Sequence, residues 1–442
     1  MSLAQRLALL KGNRNLNPNA GGIEDDIADG RTDTGCDEPE DGTVRAAPLL
    51  EPTSTIVPLV ARLQRLYPHG GNNGSRNTSS RTKQSDAEVA GRLRGDVIAP
   101  GLIQVIQHIP LASWHGKVAF SELAQVSLAA LGMPGEVLPD GLLFLDTETT
   151  GLAGGTGTLP FMVCLARIQA EQLQLGQWIL TGFSGEAALL ETVGSWIRPA
   201  AHLVSYNGKS FDVPLLVTRY RLARQADPFA NKDKAHIDLL HLTRRACGHG
   251  WEDCRLQTAE RRLLGFMREN DFPSHLIPQA WSDFLRGGGV ESLNAIAEHN
   301  RHDVLSLAAL LAKIARIYAE PGHEAAHPLK IAQSHALRGD RPHAIDHLAN
   351  ACCPLDEAAL LFLAKLHRQQ GQDEQALAIW RQLRQNNCAE GIEALAKYHE
   401  HVTPELEAAL ELAEELLRLE PASDFHAKRR DRLRQRLARP KA

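Results

Sequence analysis

The periodicity of the chain changes at Pro321, and that change constrains its architecture more than any other feature. Before it, apolar residues come in strand-length runs mixed with helical stretches. After it, strand-like runs are absent. Two layer types in one chain call for two units rather than one.

The first unit is predicted over 90–320. "GDVIAPGLIQVIQHIP" alternates like strands around a Pro-Gly turn. "GLLFLD", "LPFMVCLARI" and "QLQLGQWIL" read as three more strands, the last two joined by a short polar turn. "EAALLETVGSWI" has helical period, "HLVSYN" is a short strand, and "DVPLLVTRYRLA" and 291–318 are helices. This order predicts an α/β domain with a mixed sheet flanked by helices.

The second unit, over 325–420, is an internal repeat. "IAQSHALRGDRPHAIDHLANA" aligns with "LAKLHRQQGQDEQALAIWRQL" at a period of about 32. The alignment sets Ala332 on Ala364, Gly339 on Gly371, Ala344 on Ala376 and Leu348 on Trp380. Small residues at helix contacts, a glycine turn and a large apolar residue describe a helix-turn-helix unit. A degenerate third copy lies around "IEALAKYHEHVTPELEAALELAEELL". The pattern resembles tetratricopeptide repeats, which implies an all-α repeat domain and a protein partner.

Segments 12–52 and 68–88 are too polar to bury enough apolar surface, so 1–89 is expected to be largely disordered, with a short helix near 56–67. Residues 421–442 read as a basic tail; "KRRDRLRQRLARPKA" carries eight Lys and Arg.

The net charge of -5 argues against wrapping long nucleic acid electrostatically, so any such contact is expected to be local or through metal ions. Seven scattered cysteines without a CxxC pair point to a reducing compartment. Cys247 and Cys254 flank His249 without an evident fourth ligand at zinc-like spacing. No apolar run approaches the length of a membrane span, so a cytoplasmic protein without membrane contact is expected.

The chemistry starts in "LLFLDTETTGL". Asp146 and Glu148 sit at i and i+2 of a strand end, so both carboxylates project from the same face. Two like charges that close resist joint ionisation, and a divalent cation removes the conflict. "SYNGKSFDVPLL" opens a helix with Asp212 at its N-terminus, where negative charge is favoured. There Asn207 is expected to satisfy the turn and Phe211 to anchor it in the core. "EHNRHDVLSLAALL" puts Asp303 beside an apolar helix face, with His299 one turn earlier and His302 about 100° away. Asp146, Glu148, Asp212 and Asp303 form an oxygen-rich set that suits Mg²⁺ or Mn²⁺. Two such ions can clamp an in-line displacement at phosphorus. A neutral His299 beside them is the candidate base.

These motifs resemble the DEDD superfamily of 3′–5′ exonucleases, whose fold is ribonuclease H-like. The family's D-x-E motif matches Asp146 and Glu148, its Asn and aromatic-Asp motif matches Asn207, Phe211 and Asp212, and its late-helix Asp matches Asp303. "DTETTGLAGGTGT", "HIDLLHLTRR", "LQTAERRLLGFMRENDFP" and "HNRHDVLSL" resemble the YprB-like subgroup over about 95–318. Several of its members carry tetratricopeptide-like repeats after this domain. The resemblance implies a metal-dependent nuclease with two ions, acting on single-stranded DNA or RNA or on a 3′ end. The base lies five residues before the last Asp in the histidine-type subclass and four in the tyrosine-type. Here those positions are Glu298 and His299. Asp238 is a candidate supporting acid, and Asp271 and Glu260 are further acids outside the core set. The alternatives are a catalytically silent nucleic-acid-binding scaffold and an adaptor acting through its repeats.

Overall fold

The structure, a computed structural model, describes residues 84–133, 139–151, 156–231 and 234–439. The expected N-terminal disorder and the helix near 56–67 lie outside them. The order is α1 (Asp86–Leu93), β1 (Asp96–Ala99), β2 (Leu102–Pro110), β3 (Trp114–His115), β4 (Val118–Ala119), β5 (Leu142–Thr149), β6 (Pro160–Gln169) and β7 (Gln172–Leu180). Then follow α2 (Glu186–Ile197), β8 (His202–Ser205), α3 (Asp212–Leu222), β9 (Ala235–Asp238), α4 (Leu239–Ala246), α5 (Leu256–Ala259), α6 (Ile277–Leu285) and α7 (Glu291–Ala319).

Seven strands form one mixed sheet in the order β1-β2-β7-β6-β5-β8-β9. Pairing is antiparallel from β1 through to β5 and parallel from β5 to β8 and β9. The strand β5 is buried on both faces, which explains its unbroken apolar run. Leu142 and Phe144 pack on the side of α7, and Leu143 and Leu145 on the side of α2 and α6. Each such burial contributes about 1.5–3 kcal/mol. Because side chains alternate, Asp146 and Glu148 inherit the α7 side.

After α7 the chain is helical: α8 (Pro328–Leu337), α9 (Arg341–Ala349), α10 (Glu357–Gln369), α11 (Asp373–Gln385), α12 (Ala389–His401), α13 (Leu406–Leu419) and α14 (Asp424–Leu437). Ala332, Ala364, Ala344 and Ala376 are fully buried where the helices approach, with Leu348 and Trp380 buried beside them. Gly339 and Gly371 turn each hairpin at φ 82° and 72°, a left-handed backbone that only glycine adopts without strain. The array packs on the α/β unit: Arg245 Nη1 donates to Ser334 Oγ at 3.1 Å and Arg338 Nη2 to the Ala130 carbonyl at 2.9 Å.

Part of the segment read as a basic tail is the helix α14. Leu433 is buried, and the arginines meet acids of the preceding helices. Arg432 donates to the buried Glu400 at 2.8 Å and Arg434 to Glu414 at 2.6 Å. Arg432 and Arg434 of this basic segment thus balance carboxylates on α12 and α13.

Candidate active site

Three separated elements bring the acids together. Asp146 and Glu148 end β5, Asp212 opens α3, and Asp303 lies in the first half of α7. Thr147 Oγ1 donates to Asp212 Oδ1 at 2.5 Å, linking β5 to α3. Asn300 Nδ2 donates to Asp146 Oδ2 at 2.6 Å, linking β5 to α7. The Asn300 amide is itself set by Gln177, whose Nε2 donates to Asn300 Oδ1 at 3.3 Å and to the Ala297 carbonyl at 2.8 Å.

Electrostatics report how close the charges are. Burial, then repulsion from Asp303, Asp212 and Glu148, holds the Asp146 carboxyl well above its ordinary range. Burial and then Asp303 and Asp212 do the same to Glu148, against a pull downward from Arg268. Burial pushes Asp212 up to about 6, with the Thr147 hydrogen bond working the other way. An apoprotein with this cluster stores repulsion that a cation would relieve.

His299 faces this cluster. Its Nε2 lies 3.5 Å from Asp303 Oδ2 and 3.8 Å from Glu148 Oε1. Its Nδ1 lies 2.7 Å from Asp271 Oδ1, which can only accept, so we assign the ring proton to Nδ1 and a lone pair to Nε2. His302 instead turns to Glu298, at 3.1 Å. One donor atom each from Glu148, His299 and Asp303 lie within 4.8 Å of one another, a spacing one cation spans. Oxygen donors dominate the set, as a hard divalent cation requires.

Arg268 is the cation already built in. Its side chain is 4% exposed and reaches Asp303, Glu260 and Asp271. Burial opposes its charge, but Asp303 and Glu260 outweigh burial and raise its proton affinity. Glu260, 1% exposed, receives two Arg268 nitrogens at 2.6 and 2.9 Å and Ser306 Oγ at 2.5 Å. Glu260 and Asp271, left outside the core set in the sequence, thus hold Arg268 and His299 in place.

Asp238 ends β9 and caps α4, accepting from Leu240 N at 3.2 Å. It also accepts from Asn207 N at 2.7 Å and Lys209 N at 3.1 Å, so it fixes the loop that delivers Asp212. Asn207 turns that loop at φ 65°. At Gly208 a Cβ would stand 2.4 Å from Ser205 Oγ and 3.1 Å from Asp212 Oδ2, so only glycine fits. Phe211 corrects one expectation: it does not anchor the turn in the core but is 56% exposed. Asp238 anchors the loop and Leu216 and Tyr220 anchor α3, which frees Phe211. Phe211 lines a cleft of about 460 Å³ together with Asp146, Thr147, Tyr206, Asn207 and Asp212.

The sequence did not mark Arg268, Asn300 or Thr147. Asn300 had a signal, since it lies three residues before Asp303 and shares its helix face. Arg268 had none: it sits on an irregular segment whose approach to α7 is set by tertiary packing.

A model of the RNase_H superfamily matches residues 143–315, which hold all four acids. The chain is 31% identical over 361 residues to "Uncharacterized protein YprB" of Bacillus subtilis (strain 168), covering 77% of this chain and 85% of that protein. The match reaches well beyond the α/β unit in length, and the chain belongs to the YprB family of ribonuclease H-like proteins.

Proposed function

We propose that this chain hydrolyses phosphodiester bonds in nucleic acid with two divalent ions, as a DEDD-type 3′–5′ exonuclease. The observation that carries the reading is the convergence of Asp146, Glu148, Asp212 and Asp303 beside an open cleft, with a histidine lone pair aimed among them.

Asp146, Glu148, Asp212 and Asp303 would hold Mg²⁺ or Mn²⁺. When bound, such ions polarise the phosphoryl group and make water more acidic. His299 Nε2 is the general base, taking the proton of the attacking water. Asp271 keeps the ring in the correct tautomer and stabilises the imidazolium formed. Asn300 and Thr147 hold Asp146 and Asp212 in register. The exposed Phe211 ring gives a base of the strand a face to stack on, as suits a single-stranded end.

One observation favours a second reading, a silent nucleic-acid-binding scaffold: Arg268 already neutralises Asp303. Cleavage of end-labelled single- and double-stranded DNA and RNA, with Mn²⁺ or Mg²⁺ and with chelator, separates the two. A metal-dependent ladder from the 3′ end that Asp146→Ala abolishes supports the exonuclease. No cleavage of any substrate by folded, metal-bound protein supports the scaffold. Helical hairpins offer a surface for a protein partner, which either reading accommodates.

A further inference from the structure

A second constellation of metal-ligating side chains lies in the first helical hairpin, outside the acidic cluster. His335 stands in the last turn of α8, Asp340 caps α9, and His343 lies in the first turn of α9. One donor atom from each lies within 4.8 Å of the others. Asp340 sits between the rings, with Oδ2 3.0 Å from His335 Nδ1 and Oδ1 2.7 Å from His343 Nδ1.

The hydrogen bonding behind the cluster is what points to an ion. His335 is 2% exposed, and its Nε2 lies 3.1 Å from the Tyr318 carbonyl oxygen. A carbonyl only accepts, so the proton of the neutral ring belongs on Nε2. Nδ1 then faces a carboxylate oxygen at 3.0 Å, a pairing that either a second ring proton or a bound cation satisfies. Arg338 Nη2, 3.2 Å from Nδ1, reaches it from one side while also holding the Ala130 carbonyl. A histidine whose far nitrogen donates to a backbone carbonyl is the usual arrangement of a metal ligand, because that bond fixes tautomer and ring orientation. His347 packs against His335 with ring centroids 5.1 Å apart and places its Nε2 2.9 Å from the same carbonyl, closing the buried side. The opposite side is open, since the His343 side chain is 59% exposed.

We propose that His335 Nδ1, Asp340 and His343 Nδ1 bind one borderline transition-metal ion of the Zn²⁺ class, with water completing the shell. Two imidazoles and a carboxylate suit such an ion better than the Mg²⁺ or Mn²⁺ expected at the carboxylate-rich cluster around Asp303. The ion ties α8 to α9, and through the Tyr318 carbonyl it ties the hairpin to α7. Its role is that of a staple between the helical array and the α/β unit.

The test is equilibrium dialysis of the full-length protein against Zn²⁺ with Mg²⁺ in large excess, followed by metal analysis and by melting with and without Zn²⁺. His343→Ala removes a mostly exposed ligand. Asp340→Asn removes the ligand charge yet keeps an oxygen to cap α9. The wild type should hold one more equivalent of Zn²⁺ than either variant and should melt higher with Zn²⁺, with the increment lost in His343→Ala. Co²⁺ in place of Zn²⁺ should give visible absorption from a nitrogen-containing site in the wild type alone. Equal Zn²⁺ content in the wild type and His343→Ala, or an equal Zn²⁺-dependent rise in melting temperature, overturns the proposal.

Discussion

Replacing Asp212 by Asn in the metal-free protein should stabilise it, with a characteristic dependence on pH. The folded carboxyl protonates at about 6 and the unfolded one near 3.8. Below the lower value both states are protonated and the group contributes nothing. As pH rises between the two, the unfolded chain ionises and the folded protein resists, so stability drains away. Above about 6 the whole cost stands. At about 1.4 kcal/mol for each tenfold change in proton affinity, that cost is about 3 kcal/mol. Burial is the larger part of it and repulsion from Asp238 and Asp303 the smaller, and neighbouring acids readjust when Asp212 goes, so about 1–3 kcal/mol is the expected gain. The amide keeps an oxygen for the Thr147 hydroxyl, so the link from β5 to α3 survives. The assay is urea unfolding in chelator, wild type against Asp212→Asn, from pH 4.5 to pH 8. The variant's advantage should be about a third of its full value at pH 4.5 and reach that full value by about pH 7. Adding Mn²⁺ should erase or reverse it, because the wild type gains more from the ion. A variant that is less stable at pH 8, or an advantage that does not change with pH, would refute the claim that burial, aided by neighbouring carboxylates, raises the Asp212 carboxyl in the apoprotein.

Arg268→Met should cost about 3–5 kcal/mol, because it leaves Glu260 charged and unpaired at 1% exposure; urea unfolding at pH 7.5 measures it, and a loss below 1 kcal/mol would show that Glu260 finds another partner. Asp271→Asn should reduce cleavage at least about 100-fold by releasing the His299 tautomer, with a matching change in the ring nitrogen signals by NMR; unchanged activity would remove His299 as base. Gly371→Ala should cost about 1–2 kcal/mol through backbone strain alone, since φ is 72° and the added methyl meets open space; a stabilising effect would mean that the turn relaxes.

Legibility in the sequence followed the range of the interaction. Period-2 and period-3.6 patterns located β5, β6, β7, α2, α3 and α7 because burial of one face is a local property of the sequence. The repeat register was legible for the same reason, down to the glycines that turn the hairpins. The acids were singled out by strand parity and helix position, and the structure brings them together. What escaped were groups whose roles depend on distant partners. Arg268 meets Asp303 across 35 positions of sequence, and Asn300 meets Asp146 across 154. Phe211 was expected to anchor the turn in the core, but Asp238, from a strand about 30 positions away, secures that loop instead.

The helix α7 carries His299, Asn300 and Asp303 near one end and offers the Tyr318 carbonyl to His335 and His347 near the other. Fifteen residues separate Asp303 from Tyr318, a span of about 22 Å along the axis. A helix has phase as well as length. Inserting or deleting one residue between these points would rotate one end by about 100° against the other. Asp303, with His299 and Asn300, would then turn away from the carboxylates of β5 and α3, or the hairpin would lose its seat. Surface loops in general tolerate changes of length, but the phase of this helix fixes its interval, and its residue count is as much a part of the site as the carboxylates themselves.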